Sequence, residues 1–187
     1  AYEISIAGHQ IGDADLRRIL DPTNLLDQQD ADREVLHNIP VGYSIDGIGE
    51  VNNYIRHPLK WNQIEKNLRI LDEAPGNYDI WPTVTVMAYN VLHIPEIIRW
   101  QIQSLFHRQN NNIENLFLVQ HPLRNPSELS TQVLPPLVKE FVHEKYKSFV
   151  ENDFKNDLIK FCPLNQDDMW LSRVQYLLNS ILAFMDS

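Results

Sequence analysis

The sequence predicts an α/β fold that is built on a parallel sheet and followed by a helical segment. Short apolar runs alternate with amphipathic helical patterns along most of the 187 residues, and this alternation is typical of parallel sheets flanked by helices. The strongest run, residues 80–88, is apolar on both faces towards its end, as in strands covered by helices on either side. After residue 133 only helical periodicity remains. We therefore expect a partial (β/α) barrel core over 1–133 and a C-terminal helical extension over 134–187.

The individual elements follow from period and punctuation. The predicted strands are short apolar runs at 2–8, 40–46, 80–88 and 115–120. The predicted helices of the core have apolar residues at steps of three and four and cover 13–20, 25–37, 60–73 and 93–106. In the third of these, Trp61, Ile64, Leu68 and Leu71 form the apolar face. A loop is expected between residue 47 and this helix, and the C-terminal helices are expected at 134–150, 154–162 and 169–185.

Composition limits the classes of function. The formal net charge is -9, from 16 Lys+Arg against 25 Asp+Glu, so the chain lacks the clustered basic residues that bind nucleic acid. No run of 18 apolar residues occurs, and we expect no membrane span. The N-terminal AYEISIAGHQ has neither a leader pattern nor an initiator Met, so we expect a cytoplasmic protein with a processed or excised start. The single cysteine, Cys162, forms no internal disulfide or cysteine-ligated cluster.

The segment SIDGIGEVNNYIRHP, residues 44–58, is the most informative motif. Ser44 and Asp46 follow a buried strand, at the sheet edge where α/β proteins bind ligands. The glycines allow the backbone to approach a ligand, and Arg56 is suited to a carboxylate or phosphate. In the alternative reading, Asp46 and Gly47 form only a turn and Arg56 is a surface residue.

This segment also resembles radical S-adenosylmethionine (SAM) proteins, in particular the group with a shortened "twitch" region. The resemblance covers SIDGIGEVNNYIRHPLKWNQIEKNLRIL and TVTVMAYNVLHIPEIIRWQI, and is weaker in PSELSTQVLPPLVK and ISIAGHQIGDADLRRIL. It implies a SAM pocket formed by Gly8, Ser44, Asp46, Arg56 and Asn90, with Ser44 at the ribose, Arg56 at the methionine carboxylate and Asn90 near the sugar or adenine. The family's three-cysteine loop is absent, so we expect no [4Fe–4S] cluster on this chain.

Three functions follow as hypotheses, and the sequence leaves open whether the chain is itself an enzyme. The first is a portion of a radical SAM core, inactive alone and with an unknown substrate. The second is a non-catalytic binding or assembly module derived from that fold, which self-associates through an open sheet edge. The third is metal-dependent chemistry at Glu140, His143 and Glu144, which lie on one helical face; a solvated face is the alternative. Cys162 is expected to be a buried structural thiol.

Overall fold

The architecture is an open parallel sheet with helices packed against it. The computed structural model describes residues 4–6, 39–74, 78–104, 106–107, 119–156 and 167–187. Its strands are β1 (Ile4–Ile6), β2 (Ile39–Ser44), β3 (Tyr78–Val86) and β4 (Val119–Pro122), in the order β1-β2-β3-β4 with every neighbouring pair parallel. The prediction of a parallel α/β sheet followed by helices is confirmed. The described strands do not close into a barrel.

Strand β3 lies inside the sheet and contributes much of its core. Ile80, Val84 and Val86 are buried to 1% exposure or less, whereas Thr83 and Thr85 on the other face are half-buried. This alternation is the period-two pattern of a strand with one fully covered face. Ser44 of β2 lies opposite Thr83, so the carboxyl ends of the two strands reach the same edge of the sheet.

A short helix, α1 (Gly49–Ile55), occupies the segment for which the sequence predicts a loop. That prediction was wrong because α1 has little apolar periodicity of its own. Its position depends instead on tertiary contacts: Asn52 is completely buried, and its side-chain oxygen accepts a hydrogen bond from the backbone N–H of Asp46 at 3.0 Å. The first residue, Gly49, has a φ of +56°, in the left-handed region that favours glycine.

Helices α2 (Trp61–Glu73) and α3 (Ile94–Ser104) form the crossovers and pack against each other. Leu68 and Leu71 are buried as the spacing predicts. Trp61 and Trp100 meet edge to face with ring centroids 5.0 Å apart, which is a favourable aromatic geometry. The Trp100 indole N–H also donates to Glu65 at 3.1 Å. The interpretation of these tryptophans as core residues is supported, since both pack against the buried cluster.

The C-terminal helices are α4 (Pro136–Ser148), a π-helix (Phe149–Phe154) and α5 (Asp167–Asp186). The predicted stripe on α5 is confirmed, since Trp170, Val174 and Leu178 are all at most 5% exposed. Helix α4 is fixed to the turn after β3 by the buried Tyr146, whose hydroxyl donates to the carbonyl of Val91 at 2.7 Å. The C-terminal helices therefore share a core with the α/β part, and the boundary at 133/134 stays a prediction.

Several sequence predictions lie outside the described residues. These are the helices at 13–20 and 25–37, most of the helix at 154–162, Cys162 and Gly8. In the part of the chain that the structure describes, no helix combines the length and the apolar character that crossing a membrane requires.

Candidate functional site

The carboxyl ends of β2 and β3 are joined by a buried cluster of polar side chains. We call Asp46, Asn52, Arg56 and Asn90 the carboxyl-edge network. Asp46 is only 5% exposed, and its Oδ1 accepts the backbone N–H of Thr85 at 2.9 Å. Its Oδ2 lies 2.9 Å from Nε of Arg56, an ion-pair distance, although the Nε–H is not aimed at that oxygen. A buried carboxylate needs such partners, because burying an unpaired charge is very costly.

Asn90 uses both ends of its amide within the same network. Its Oδ1 accepts the backbone N–H of Met87 at 2.8 Å. Its Nδ2 donates to two carbonyls, that of Asp46 at 3.0 Å and that of Thr85 at 2.8 Å. Asn90 is completely buried, so this single side chain links the residues that follow β2 to those that end β3.

Gly47 is required by close packing beneath α1. A Cβ at this position would lie 2.8 Å from Cγ1 of Val51 and 3.0 Å from the backbone nitrogen of Asn52. Any larger residue would push α1 away from the strand end. The glycine is therefore explained by packing against α1, which neither the ligand interpretation nor the turn interpretation of the sequence had predicted.

The predicted site residues are brought together only in part. Asp46, Arg56 and Asn90 meet in the carboxyl-edge network. Arg56 is not a surface residue, because only 19% of its side chain is exposed and it pairs with the buried Asp46. Ser44 ends β2 and is half-buried. Gly8 lies outside the described residues. Binding of S-adenosylmethionine at these positions stays a prediction. Asp46 and Asn90 form their hydrogen bonds with other groups of the protein.

His93 continues the network into the helices. Its Nε2 accepts the backbone N–H of Ile48 at 3.3 Å, which only an unprotonated Nε2 can do. Its Nδ1 lies 4.0 Å from Oε2 of Glu96. Burial lowers the pKa of His93 below its ordinary 6.5. The negative charge of Glu96 acts in the opposite direction, and the positive charge of Lys145 adds a smaller lowering. His93 is therefore held in its neutral form by its surroundings.

Two tyrosines lie exposed beside this network. Tyr54 on α1 and Tyr89 in the turn after β3 are 72% and 55% exposed. Their rings meet edge to face, with centroids 5.8 Å apart and an interplanar angle of 81°. We call them the tyrosine pair. Sequence reasoning missed them because each is an isolated aromatic residue in a segment predicted as loop or strand end, with no spacing that connects the two.

The residues considered for metal binding do not form a cluster. His143 lies 2.9 Å from the carboxylate of Asp186 at the end of α5, and Glu140 and Glu144 are exposed. Within the described ranges, no group of three or more His, Cys, Asp or Glu side chains is arranged to hold a metal ion.

The first third of the chain is similar to a known family. The family described as "SHS2 domain inserted in FtsA" matches residues 1–59, about a third of the chain. Of these residues the structure describes 4–6 and 39–59, which include β1, β2, Asp46, α1 and Arg56. No curated protein and no solved structure matches the chain.

The resemblance to radical SAM proteins was wrong. The matching family covers residues 44–58, the segment on which that resemblance mainly depended, and points to a domain of a different family. The hypotheses that the chain is a radical SAM core, or a module derived from one, are therefore wrong. The assignment to a twitch-type, iron–sulfur family is wrong for the same reason. The physical reason is that Asp46, Gly47 and Arg56 are required by the fold itself, so their pattern is not specific to a cofactor pocket.

Replacing Asn90 should destabilise the fold strongly. In Asn90→Ala, the Met87 N–H and the carbonyls of Asp46 and Thr85 lose their partners, and each buried group left unpaired costs about 1–3 kcal/mol. We expect the free energy of unfolding, measured by urea denaturation, to fall by at least about 2 kcal/mol. The matched control is Asn62→Ala on α2, an exposed amide, which should change it by less than about 0.5 kcal/mol. Equal effects of the two variants would contradict the role of Asn90.

His93 should make stability depend on pH. Because the folded pKa lies below 6.5, the unfolded state binds more protons between the two pKa values, and the free energy of unfolding rises with pH across this window. The contribution is present above pH 6.5 and is lost as the pH falls below it. Urea denaturation at one pH above and one pH below this window measures how much free energy of unfolding is lost on acidification. We expect this loss to be smaller in His93→Gln than in the unsubstituted chain. A loss in His93→Gln equal to that of the unsubstituted chain would refute the assignment.

Proposed function

We propose that this chain is a non-enzymatic binding module whose contact surface is the tyrosine pair at the carboxyl edge of the sheet. Its partner is a protein segment that places an apolar side chain against the two rings. The observation that carries the proposal is the edge-to-face contact of Tyr54 and Tyr89, two exposed tyrosines on the segments that also carry the carboxyl-edge network.

The pairing of Asp46 and Asn90 within the protein supports binding rather than chemistry at this edge. Both carboxylate oxygens of Asp46 are engaged, one by the Thr85 N–H and one by Arg56. The amide of Asn90 is engaged at both ends. Groups that are already paired within the protein position the surface above them, and they are poorly suited to accept or donate a proton during a reaction.

The tyrosines themselves have the properties of an interface anchor. Tyrosine is enriched among the residues that contribute most to protein–protein binding, because its large rigid ring loses little conformational entropy. The edge-to-face contact orients both rings before a partner arrives, and this lowers the entropic cost of binding. The buried Asn52 anchors α1, the helix that carries Tyr54, so Tyr54 lies on an element whose position is fixed.

The family match supports the same class of function. The matched family is described as a domain inserted in another protein, and the match includes α1, which carries Tyr54. A domain that occurs inside a larger protein is suited to a role in contacts between domains or chains.

The order of the strands indicates a more specific architecture. The four parallel strands are neighbours in the sheet in the same order as along the chain. The strands of a (β/α) barrel follow one another in this way. We infer that the sheet is an arc of this kind, whose open side is available to another element or chain.

The binding surface can be tested with a random peptide library displayed on phage. We expect peptides selected on the unsubstituted chain to bind Tyr54→Ala and Tyr89→Ala at least about tenfold more weakly, as for an anchor worth more than 1 kcal/mol. Tyr176→Ala is the matched control, because Tyr176 is a tyrosine 77% exposed on α5. Circular dichroism checks that all three variants fold. Selected peptides that bind all three variants equally would contradict the proposal, as would a library that yields none.

Self-association through the sheet edge is a separate proposal about partners. Among the described strands, β1 and β4 each have one neighbour, and unpaired strand edges favour pairing with another chain. We expect sedimentation equilibrium to give a mass that rises with concentration. His121→Lys, which adds charge at an exposed position of β4, should lower that mass, whereas Asn62→Lys on α2 should not. A single-chain mass at every concentration would refute this proposal and leave the tyrosine pair to its own test.

A further inference from the structure

The imidazole of His93 lies between two elements, and each of its ring nitrogens faces a different one. His93 ends a 3₁₀ turn directly before α3. Its Nε2 accepts the backbone N–H of Ile48, the residue before α1, at 3.3 Å. Its Nδ1 faces Oε2 of Glu96 on α3, at 4.0 Å. Only 22% of the His93 side chain is exposed, so groups of the protein rather than solvent dominate the surroundings of the ring.

The contact with Ile48 requires one protonation state of the ring. An imidazole nitrogen accepts a hydrogen bond only when it carries no proton, so Nε2 is the bare nitrogen and Nδ1 carries the hydrogen. In the imidazolium form both nitrogens are donors. The Nε2–H would then face the N–H of Ile48, and the hydrogen bond between His93 and Ile48 would be lost.

An acceptor for the charged ring is already in place on α3. Oε2 of Glu96 is a buried atom without a hydrogen-bond partner among the described residues, and a buried acceptor left unpaired is costly. At 4.0 Å it lies beyond hydrogen-bond distance from Nδ1 of His93. The other oxygen, Oε1, accepts from Lys145 of α4 at 2.7 Å. A movement of the protonated ring by about 1 Å towards Oε2 would form a charge-assisted hydrogen bond with it.

The start of α1 depends on its contact with His93. Ile48 has no polar side chain with which to cap the helix, and Gly49 after it has a φ of +56°, in a region where glycine is conformationally free. Helix α1 has seven residues, too few to be stable without tertiary contacts. Farther along the helix, Asn52 accepts the N–H of Asp46. Loss of the His93 contact therefore acts on the first turn of α1.

The charged groups that face His93 come from two helices. Glu96 of α3 favours the charged ring, and Lys145 of α4 opposes it. From the α1 side the ring meets the N–H of Ile48, a donor that stabilises the ring nitrogen without a proton. Burial has the largest effect and holds the pKa of His93 below 6.5. The ring is therefore neutral above this pH, and the proton enters as the pH falls.

We propose that His93 is a pH-dependent latch on the start of α1. In the neutral state, Nε2 holds the N–H of Ile48. In the protonated state, the ring moves to Oε2 of Glu96, the N–H of Ile48 is released to solvent, and the first turn of the helix that carries Tyr54 loosens. The latch is intrinsic to the chain, so it does not depend on the proposed partner of the tyrosine pair.

The test follows His93 and Ile48 together by NMR on the unsubstituted chain. The nitrogen-15 shifts of the ring should report the Nδ1–H tautomer above the titration midpoint and the imidazolium form below it. Across this midpoint, we expect the N–H of Ile48 to exchange with solvent at least about fivefold faster relative to its intrinsic rate, as for the loss of one hydrogen bond. The N–H of Met87, which donates to Asn90, is the internal control and should change less.

Three outcomes of this titration would each overturn the proposal. The first is a neutral ring in the Nε2–H tautomer, which could not accept from Ile48. The second is an exchange rate of the Ile48 N–H that does not follow the titration of His93. The third is an equal change at Met87, which would show a general opening of the fold.

Variants of the two facing charges should move the midpoint in opposite directions. Glu96→Gln removes the carboxylate that favours the imidazolium form, so the midpoint shared by His93 and Ile48 should shift to lower pH. Lys145→Met removes the opposing cation and should shift it to higher pH. Glu140→Gln, at an exposed position of α4, is the matched control and should leave it unchanged. Shifts in the same direction, or none in either variant, would contradict the latch.

Replacing the imidazole itself removes the titrating group. In His93→Gln, the exchange of the Ile48 N–H should lose its pH dependence relative to the intrinsic rate, because the amide side chain does not take up a proton in this range. Circular dichroism checks that this variant and those at Glu96 and Lys145 fold. A pH dependence of the same size in His93→Gln as in the unsubstituted chain would assign the release of Ile48 to another group and overturn the proposal.

Discussion

The buried carboxylate of Asp46 is the constraint on which the carboxyl edge of the sheet depends. A charge at 5% exposure is tolerated only when it is paired, and the protein supplies the N–H of Thr85 from β3 and the guanidinium of Arg56 from the end of α1. The carboxylate and its two partners come from three separate segments, so satisfying one carboxylate fixes the positions of all three. Asn90 completes the arrangement, since it bonds the carbonyl of Asp46 to the turn after β3. The positions of Tyr54 and Tyr89 are consequences of these contacts.

A continuous set of contacts leads from this edge to the C-terminal helices. The N–H of Ile48, next to Gly47, donates to His93, whose other ring nitrogen faces Glu96. Glu96 accepts from Lys145 of α4, and Tyr146 of α4 donates to the carbonyl of Val91. Protonation of His93 would place a hydrogen on Nε2 and remove the acceptor for Ile48. Contacts therefore run from Ile48, the residue before α1, to Lys145 of α4 through the His93 imidazole and the Glu96 carboxylate.

Local sequence pattern was sufficient where an element's apolar period decides its structure. The spacing of Leu68 and Leu71 predicted α2, and the run around Val84 predicted β3, because burial of those side chains fixes the element. Pattern was insufficient for α1, whose seven residues are held by the contacts of Gly47 and Asn52 with neighbouring elements. The π-helix was likewise missed, since an added residue in a helical turn leaves no clear mark on a 3.6-residue period.

The candidate site illustrates a second limit of sequence reasoning. The sequence predicted that Arg56 pairs with a carboxylate or phosphate, without naming Asp46, and the structure brings the Asp46 carboxylate to 2.9 Å from Arg56. The pattern carried no information on whether their polar atoms point outward or at one another, because both arrangements use the same residue types. Only the coordinates show that both carboxylate oxygens of Asp46 lie at partners within the protein, whereas Nδ2 of Asn52 and Nε of Arg56 are buried without a hydrogen-bond partner among the described residues. A resemblance that depends on residues already paired within the protein, such as Asp46 and Asn90, therefore gives weak support for a ligand.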